Sequence, residues 1–327
     1  MLGFFRTNQL AVNLFLVIYV LMLRISGLCA TEFWEPSSSG IFSHLVYNYL
    51  GTHGWLPDLI SLILVLLQAI LLNVLSAQYK VSKEVTMFPG LFYILLMSTL
   101  PNFLHLSPVL IGNTFLILAL SSLFNTYKKT SVSDSIFNVG FWIGIASLFY
   151  FSNFVFLFLG IFGLSTLRNI RINEILMIFI GMMVPLFLTG TIFYLSNDLN
   201  NYLQITFFTE FSFWDFEWEE HWSNYVPIFL FGTLVLTVFL SVNIYFRKQS
   251  IRSQNNIQVL YYFIIVSILT VFFQRGIQLE QLLLLAIPLS LMLPLNFLAF
   301  RKKETGSGIH LIWLIGILFL QYRLLFM

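Results

Sequence analysis

The chain reads as apolar runs separated by short polar connections: roughly 10–28, 57–76, 87–104, 108–126, 136–151, 153–167, 174–195, 226–246, 259–274, 281–300 and 309–325. Each run is continuous rather than alternating, which excludes the strands of a membrane β-barrel. Hydrocarbon offers no partner to backbone polar groups, so such runs must be helices. The expected fold is therefore an all-α, polytopic transmembrane helix bundle of about eleven spans, one integral membrane domain over residues 1–327. The fifth and sixth runs abut at Ser152-Asn153 and read either as two spans or as one long broken helix. The first run is interrupted by Arg24 and places Leu28 where a signal-cleavage or lipoprotein site needs a small residue, so it is expected to be retained. Two connections are long enough to hold structure: residues 29–56, expected to carry an interfacial helix, and the acidic, aromatic residues 196–225.

Composition strengthens this reading. The 327 residues are 58% hydrophobic, 18% aromatic and 9% charged, whereas a soluble domain carries about a quarter charged residues. An aqueous enzyme, a disordered chain and a nucleic-acid-binding domain are excluded, and membrane lipids are the expected surroundings. Charge then orients the spans. With the N-terminus in the cytoplasm, the loops on that side hold Arg6, Lys80, Lys83, Lys128, Lys129, Arg168, Arg171, Arg247, Lys248, Arg252, Arg301, Lys302 and Lys303, which is 13 of the 16 basic residues. Ten of the 14 acidic residues fall outside: Glu32, Glu35, Asp58, Asp198, Glu210, Asp215, Glu217, Glu219, Glu220 and Glu280. That bias fits an odd number of spans, with the C-terminus outside. The cytoplasmic connections are short basic turns, so chemistry is expected in the bilayer or at its outer face.

The first outer loop, CATEFWEPSSSGIFSHLVYNYLGTHGW, sets Glu32 and Glu35 about Phe33-Trp34 and closes with Pro36. Ile41, Leu45 and Tyr49 recur at helical spacing, with His44 and Asn48 on another face, the pattern of a helix lying in the interface. A carboxylate partly desolvated by Phe33 and Trp34 is a stronger base, suited to a lipid-linked substrate. The plainer alternative is an acidic outer loop with interfacial Trp. In the second loop, Asp215, Glu217, Glu219 and Glu220 alternate with Trp214, Phe216, Trp218 and Trp222. Such carboxylates are chemically able to hold a divalent metal, but ligand spacing is missing and an aromatic-belt loop is the favoured reading. No cofactor or metal is expected, and the histidines show no ligand spacing.

Two arginines complete the candidates. Arg275, in FFQRGIQLEQ beside Gln274 and five residues before Glu280, has the guanidinium geometry to hold a phosphate, or to pair with Glu280 or a lipid headgroup. Gln274, His44 and Trp34 join it as candidate substrate-binding residues. Arg24 is costly in hydrocarbon and needs a partner; Asp58 at the outer start of the second span is the expected structural pair.

The run TEFWEPSSSGIFSHLVY, straight after a first span, resembles the first outer loop of polytopic C-type glycosyltransferases, nearest to mannosyltransferases that use a lipid-phosphate sugar. Trp34-Glu35-Pro36 matches the end of their motif and Glu32 sits near their acidic base. The acidic doublet is here Thr31-Glu32, and no second acidic pair follows the third span, where the turn is PNFLHLSP. More broadly, FFR and the runs NTFLILALSSLF and FWIGIASLFYFSNFVFLFLGIFGL are similar to an uncharacterised family of bacterial polytopic inner-membrane proteins. The resemblances imply the bacterial inner membrane, a glycosyltransferase-C-like architecture and transfer of a sugar from a polyprenyl-phosphate donor at the periplasmic face, with Glu32 or Glu35 as base and Arg275 on the phosphate. The alternative is a non-catalytic subunit or scaffold of a membrane-protein complex, its partners contacting the aromatic outer loops. A transporter ranks third, because mid-span charge and paired halves are missing.

Overall fold

A computed structural model describes residues 10–29, 40–52, 54–129, 131–204, 206, 222–246, 249–273, 278–300 and 303–323. Among them there are fourteen α-helices and no strand. They are α1 (Leu10–Cys29), α2 (Ile41–Leu50), α3 (Trp55–Tyr79), α4 (Phe88–Met97), α5 (Pro108–Phe124), α6 (Ser133–Phe149), α7 (Leu157–Leu167), α8 (Ile172–Leu195), α9 (Leu199–Leu203), α10 (Trp222–Leu240), α11 (Val242–Phe246), α12 (Ile251–Leu269), α13 (Leu282–Ala299) and α14 (Lys303–Arg323). Every apolar run of the sequence holds a helix. Five helical segments are long and apolar enough to cross a membrane unaided: α3, α8, α12 with its 3-10 extension, α13 with the turn before it, and α14. Six further apolar helices have 10–17 residues. The chain is thus an all-α, multi-pass membrane protein.

The short helices are viable because protein, not lipid, surrounds them. All ten residues of α4 are buried. It packs against α3 and α13, and α13 is itself buried from Leu283 to Leu295. These two apolar helices form the core around which α1, α3, α5, α12 and α14 are arranged. Neutral polar side chains stitch that core together. Tyr93 donates to Gln68 Oε1 (2.7 Å), and Gln68 Nε2 donates to Leu110 O (2.7 Å) and Thr114 Oγ1 (2.8 Å).

The most extensive helix pair is α6 with α8. Gly140 and Gly144 stand four residues apart on α6, and Gly181 faces them from α8. A Cβ on Gly140 would meet the Ile178 carbonyl, and one on Gly181 the Phe137 carbonyl. Small residues at four-residue spacing let backbones approach this closely, which is how helices gain contact where lipid already satisfies apolar surface.

The fifth and sixth runs are two helices. α6 ends at Phe149, Tyr150 is extended, and a 3-10 turn over Phe151–Phe156 leads into α7. Asn153 Nδ2 donates to Ala146 O (3.1 Å), a carbonyl in the last turn of α6 that also accepts from Tyr150 N–H (3.0 Å).

One end of the bundle gathers basic residues. Arg168 pairs with Glu174 (3.1 Å) and donates to Lys129 O (3.3 Å), while Arg252 lies over the rings of Tyr79 and Tyr127. Ser253 and Asn256 of α12 donate to Val81 O and Tyr79 O at 2.7 and 2.9 Å. We call this the basic end, and the opposite one, which carries α2, the α2 end.

Candidate functional site

The α2 end is organised by Arg24. Its side chain is 2% exposed. One terminal nitrogen donates to Met97 O (3.2 Å); the other donates to Ser61 Oγ (2.8 Å), Phe103 O (2.7 Å) and Leu104 O (2.8 Å). The cause is local. α4 stops at Met97 and α5 does not begin until Pro108, so the turn between them, with its 3-10 segment Pro101–Leu104, exposes carbonyls that no helix satisfies. A guanidinium offers five donors in a fixed fork, enough to span several of them.

That turn delivers His105. Its Nδ1 lies 2.9 Å from Oδ1 of Asp58, in the first turn of α3, with side chains 15% and 12% exposed. The Arg24–Asp58 pair expected from the sequence is therefore indirect. Asp58 acts on the Arg24 charge electrostatically but is not among its hydrogen-bond partners. Ser61, one turn along α3, takes the guanidinium, and Asp58 takes the imidazole. Among the described residues no third His, Cys, Asp or Glu joins Asp58 and His105.

α2 is strapped across this corner. Gly40 N–H donates to Phe149 O (3.0 Å), Ser43 Oγ donates to the same carbonyl, and Tyr47 OH donates to Leu106 O (3.0 Å). A Cβ at Gly40 would meet the Leu148 carbonyl, so only glycine fits this close approach. Only one side of α2 is buried against the bundle. Ile41 and Ser43 are buried, but Leu45 (39%) and Tyr49 (88%) are exposed. The polar tethers at Ser43 and Tyr47 draw their own side inward and leave Leu45 and Tyr49 to the surroundings. His44 lies on the exposed side. Glu280, 6% exposed in the 3-10 turn Leu279–Gln281, faces Tyr47. Burial, and after it the Glu280 carboxylate, push the Tyr47 phenol above its ordinary range.

Beside the strap lies an apolar cavity of about 850 Å³. Phe151, Phe154 and Leu157 form one wall, Met182, Met183, Leu186 and Phe187 of α8 the other, and α9 closes one end through Leu199 and Tyr202. Tyr202 OH donates to Leu186 O (3.0 Å) and its ring stacks on Phe193 at 5.5 Å. Burial pushes its phenol up as well. The wall continues into the turn after α12: Ser152 Oγ donates to Phe273 O (3.3 Å), and the rings of Phe154 and Phe273 meet edge to face at 5.5 Å.

Gln274 and Arg275 follow Phe273 directly in the chain. They lie outside the described residues, as do Glu32, Trp34, Glu35 and the acidic run 215–220. Sequence reading missed the Asp58–His105 pair, whose members are 47 positions apart, and treated both residues singly. It also missed the cavity, for which the aromatic run Phe151–Phe156 was the available signal.

Residues 41–326 match the family of unknown function DUF6427. No curated protein sequence is significantly similar to the chain. The fold is similar to that of ArnT from Cupriavidus metallidurans, solved as a crystal structure bound to undecaprenyl phosphate. The TM-score is 0.54 at 12% identity, over 92% of this chain and 62% of that one. The chain thus spans less than two thirds of that protein's length. The likeness shows the architecture, a glycosyltransferase-C-like polytopic bundle.

Proposed function

The chain belongs to the DUF6427 family, whose function is unknown, and we propose that it is a membrane glycosyltransferase using a polyprenyl-phosphate-linked sugar at its α2 end. The observation that carries this reading is the apolar cavity of about 850 Å³ open between α7 and α8, whose lining Phe154 packs on Phe273. An isoprenoid tail matches its lining chemically. Arg275, two residues beyond Phe273 in the sequence, is the guanidinium proposed for the phosphate of a lipid whose tail fills the cavity. ArnT, of similar fold, was crystallised with such a lipid.

In this reading the acceptor hydroxyl attacks the anomeric carbon of the donor. The bond from that carbon to the phosphate oxygen breaks, polyprenyl phosphate leaves, and the hydroxyl proton passes to Glu32 or Glu35. Arg275 and Gln274 hold the phosphate, and Trp34 and His44 flank the sugar. The basic end lies in the cytoplasm and the α2 end faces the periplasm, as the Lys and Arg distribution favours.

The test is retention of undecaprenyl phosphate by detergent-purified protein, read by native mass spectrometry. Wild type is expected to retain it, and Met183→Trp, which fills the cavity from its lipid-facing side, to retain at least tenfold less. No retention, or equal retention by the variant, would refute the reading. Glu32→Gln with Glu35→Gln should leave expression and lipid retention intact while abolishing transfer.

A further inference from the structure

A second cavity lies at the other end of the molecule. It is a crevice of about 410 Å³ between the last turns of α3 and the segment that leads into α4, lined by Ile70, Asn73, Val74, Gln78, Val85 and Thr86 among others. Its chemistry is graded along the helix. Ile70 and Val74 are 38% and 53% exposed and belong to the apolar depth. Asn73, Gln78 and Thr86 supply hydrogen-bonding groups. Lys80 and Lys83, both exposed, follow on the connecting segment. Lys80 stands about 10 Å further along the axis than Asn73, from seven residues at roughly 1.5 Å each.

Asn73 ties this wall of the crevice to α4. The residue is 6% exposed, and its Oδ1 accepts from Gly90 N–H at 2.7 Å. Its Nδ2 is buried and has no hydrogen-bond partner. Lys80 is held with φ at 54°, a left-handed conformation uncommon outside glycine, as the residue that caps α3. Glu84, the carboxylate on the same segment, has an interaction of its own.

We infer that this crevice is a binding site for an anionic glycerophospholipid of the leaflet at the basic end. An acyl chain lies along Ile70 and Val74, the ester region meets Gln78, and the phosphate sits between Lys80 and Lys83. Apolar, hydrogen-bonding and cationic groups then follow one another in the order in which that lipid presents its parts. Charge complementarity selects an anionic headgroup over a zwitterionic one.

The experiment titrates detergent-solubilised protein separately with dioleoyl phosphatidylglycerol and dioleoyl phosphatidylcholine, and counts bound lipid by native mass spectrometry. Wild type should hold phosphatidylglycerol in clear preference. Lys80→Gln with Lys83→Gln, exposed changes that leave the packing alone, should weaken phosphatidylglycerol by about 30-fold. Equal binding of the two lipids by wild type would overturn the inference. So would phosphatidylglycerol binding that the double variant does not alter, or an equal loss of both lipids in it.

Discussion

Adding one methyl group to Gly140 should separate the helix pair with the most extensive contact among the described residues. The Cβ of Gly140→Ala would meet the carbonyl of Ile178 and lie 2.9 Å from the Met182 nitrogen. Those are backbone atoms of α8 and cannot swing aside, so the helices must part. Overpacking of this kind costs about 1–3 kcal/mol, and separation also loses the contacts of neighbouring side chains. Against this, alanine gains about 0.5–1 kcal/mol over glycine from backbone entropy in a helix interior. Gly316 of α14 provides the matched control, since nothing lies within 4 Å of its would-be Cβ. Gly316→Ala should be neutral or slightly stabilising, and Gly140→Ala should lie below it by about 2 kcal/mol. Gly181→Ala meets the Phe137 carbonyl from the other side of the same crossing and should behave alike. Once one methyl has opened the gap, the second costs less, so the double variant should fall short of the sum by about 0.5 kcal/mol or more. Reversible unfolding in mixed micelles, followed by circular dichroism, reads all four. If Gly140→Ala matches Gly316→Ala, or the pair is additive, the close crossing is not what holds α6 to α8.

Two further outcomes test the α2 end. Arg24→Met leaves Met97 O and Phe103 O without their donor, whereas Leu104 O keeps Ser61. Residues 98–107 should then exchange backbone hydrogens faster while α6 and α8 do not change; Arg24→Lys should restore protection in part, since an ammonium cannot fork across three carbonyls. Unaltered exchange in Arg24→Met would dismiss Arg24 as the organiser of that turn. The raised phenol of Tyr47 gives a pH signature. Its bond to Leu106 O contributes stability fully below the free phenol value of about 10, and that contribution is lost as pH rises beyond it towards the higher folded value. A fluorophore on Asn48→Cys, in a Cys29→Ser background, should report α2 loosening above that pH in wild type. With Tyr47→Phe it should read loosened at neutral pH, and an unchanged alkaline profile would count against the strap.

The helices were legible because hydrocarbon imposes one rule on every span: continuous apolar sequence. What that rule does not reveal is which short runs are enclosed by protein. α4 and α5 read alike in the sequence, yet all of α4 is buried and part of α5 is not. The division between the fifth and sixth runs depended on Asn153 capping the end of α6, a side-chain bond that periodicity does not carry. At the site, Arg24 was recognisable as a charge that needed partners, but those partners are mostly carbonyls of a turn 73–80 residues away in sequence. Backbone acceptors have no sequence signature, so the nearest carboxylate, Asp58, was the natural guess. His105 could be paired with Asp58 only once the turn between α4 and α5 had been placed.

The distribution of polar groups bears on why chemistry would belong at the α2 end. Within the core, the buried polar side chains that join α3, α4 and α5 are neutral: Gln68, Tyr93 and Thr114 satisfy one another. The ionisable side chains Arg24, Asp58, His105 and Glu280 collect near α2, where the cost of a charge falls towards the interface. A reaction that moves a proton and releases a phosphate can be supported there and not at the centre of the bundle. The apolar cavity reaches the same region from the side, with Phe187 on its wall 74% exposed. A lipid-linked donor could therefore slide in from the bilayer without its tail entering water, while its head meets groups that hydrocarbon would not tolerate. A soluble acceptor would approach from the aqueous side, beneath α2. If that division of approach is right, filling the cavity with Met183→Trp must raise the apparent KM for donor and leave that for acceptor unchanged. Equal effects on the two would mean that donor and acceptor share one entrance.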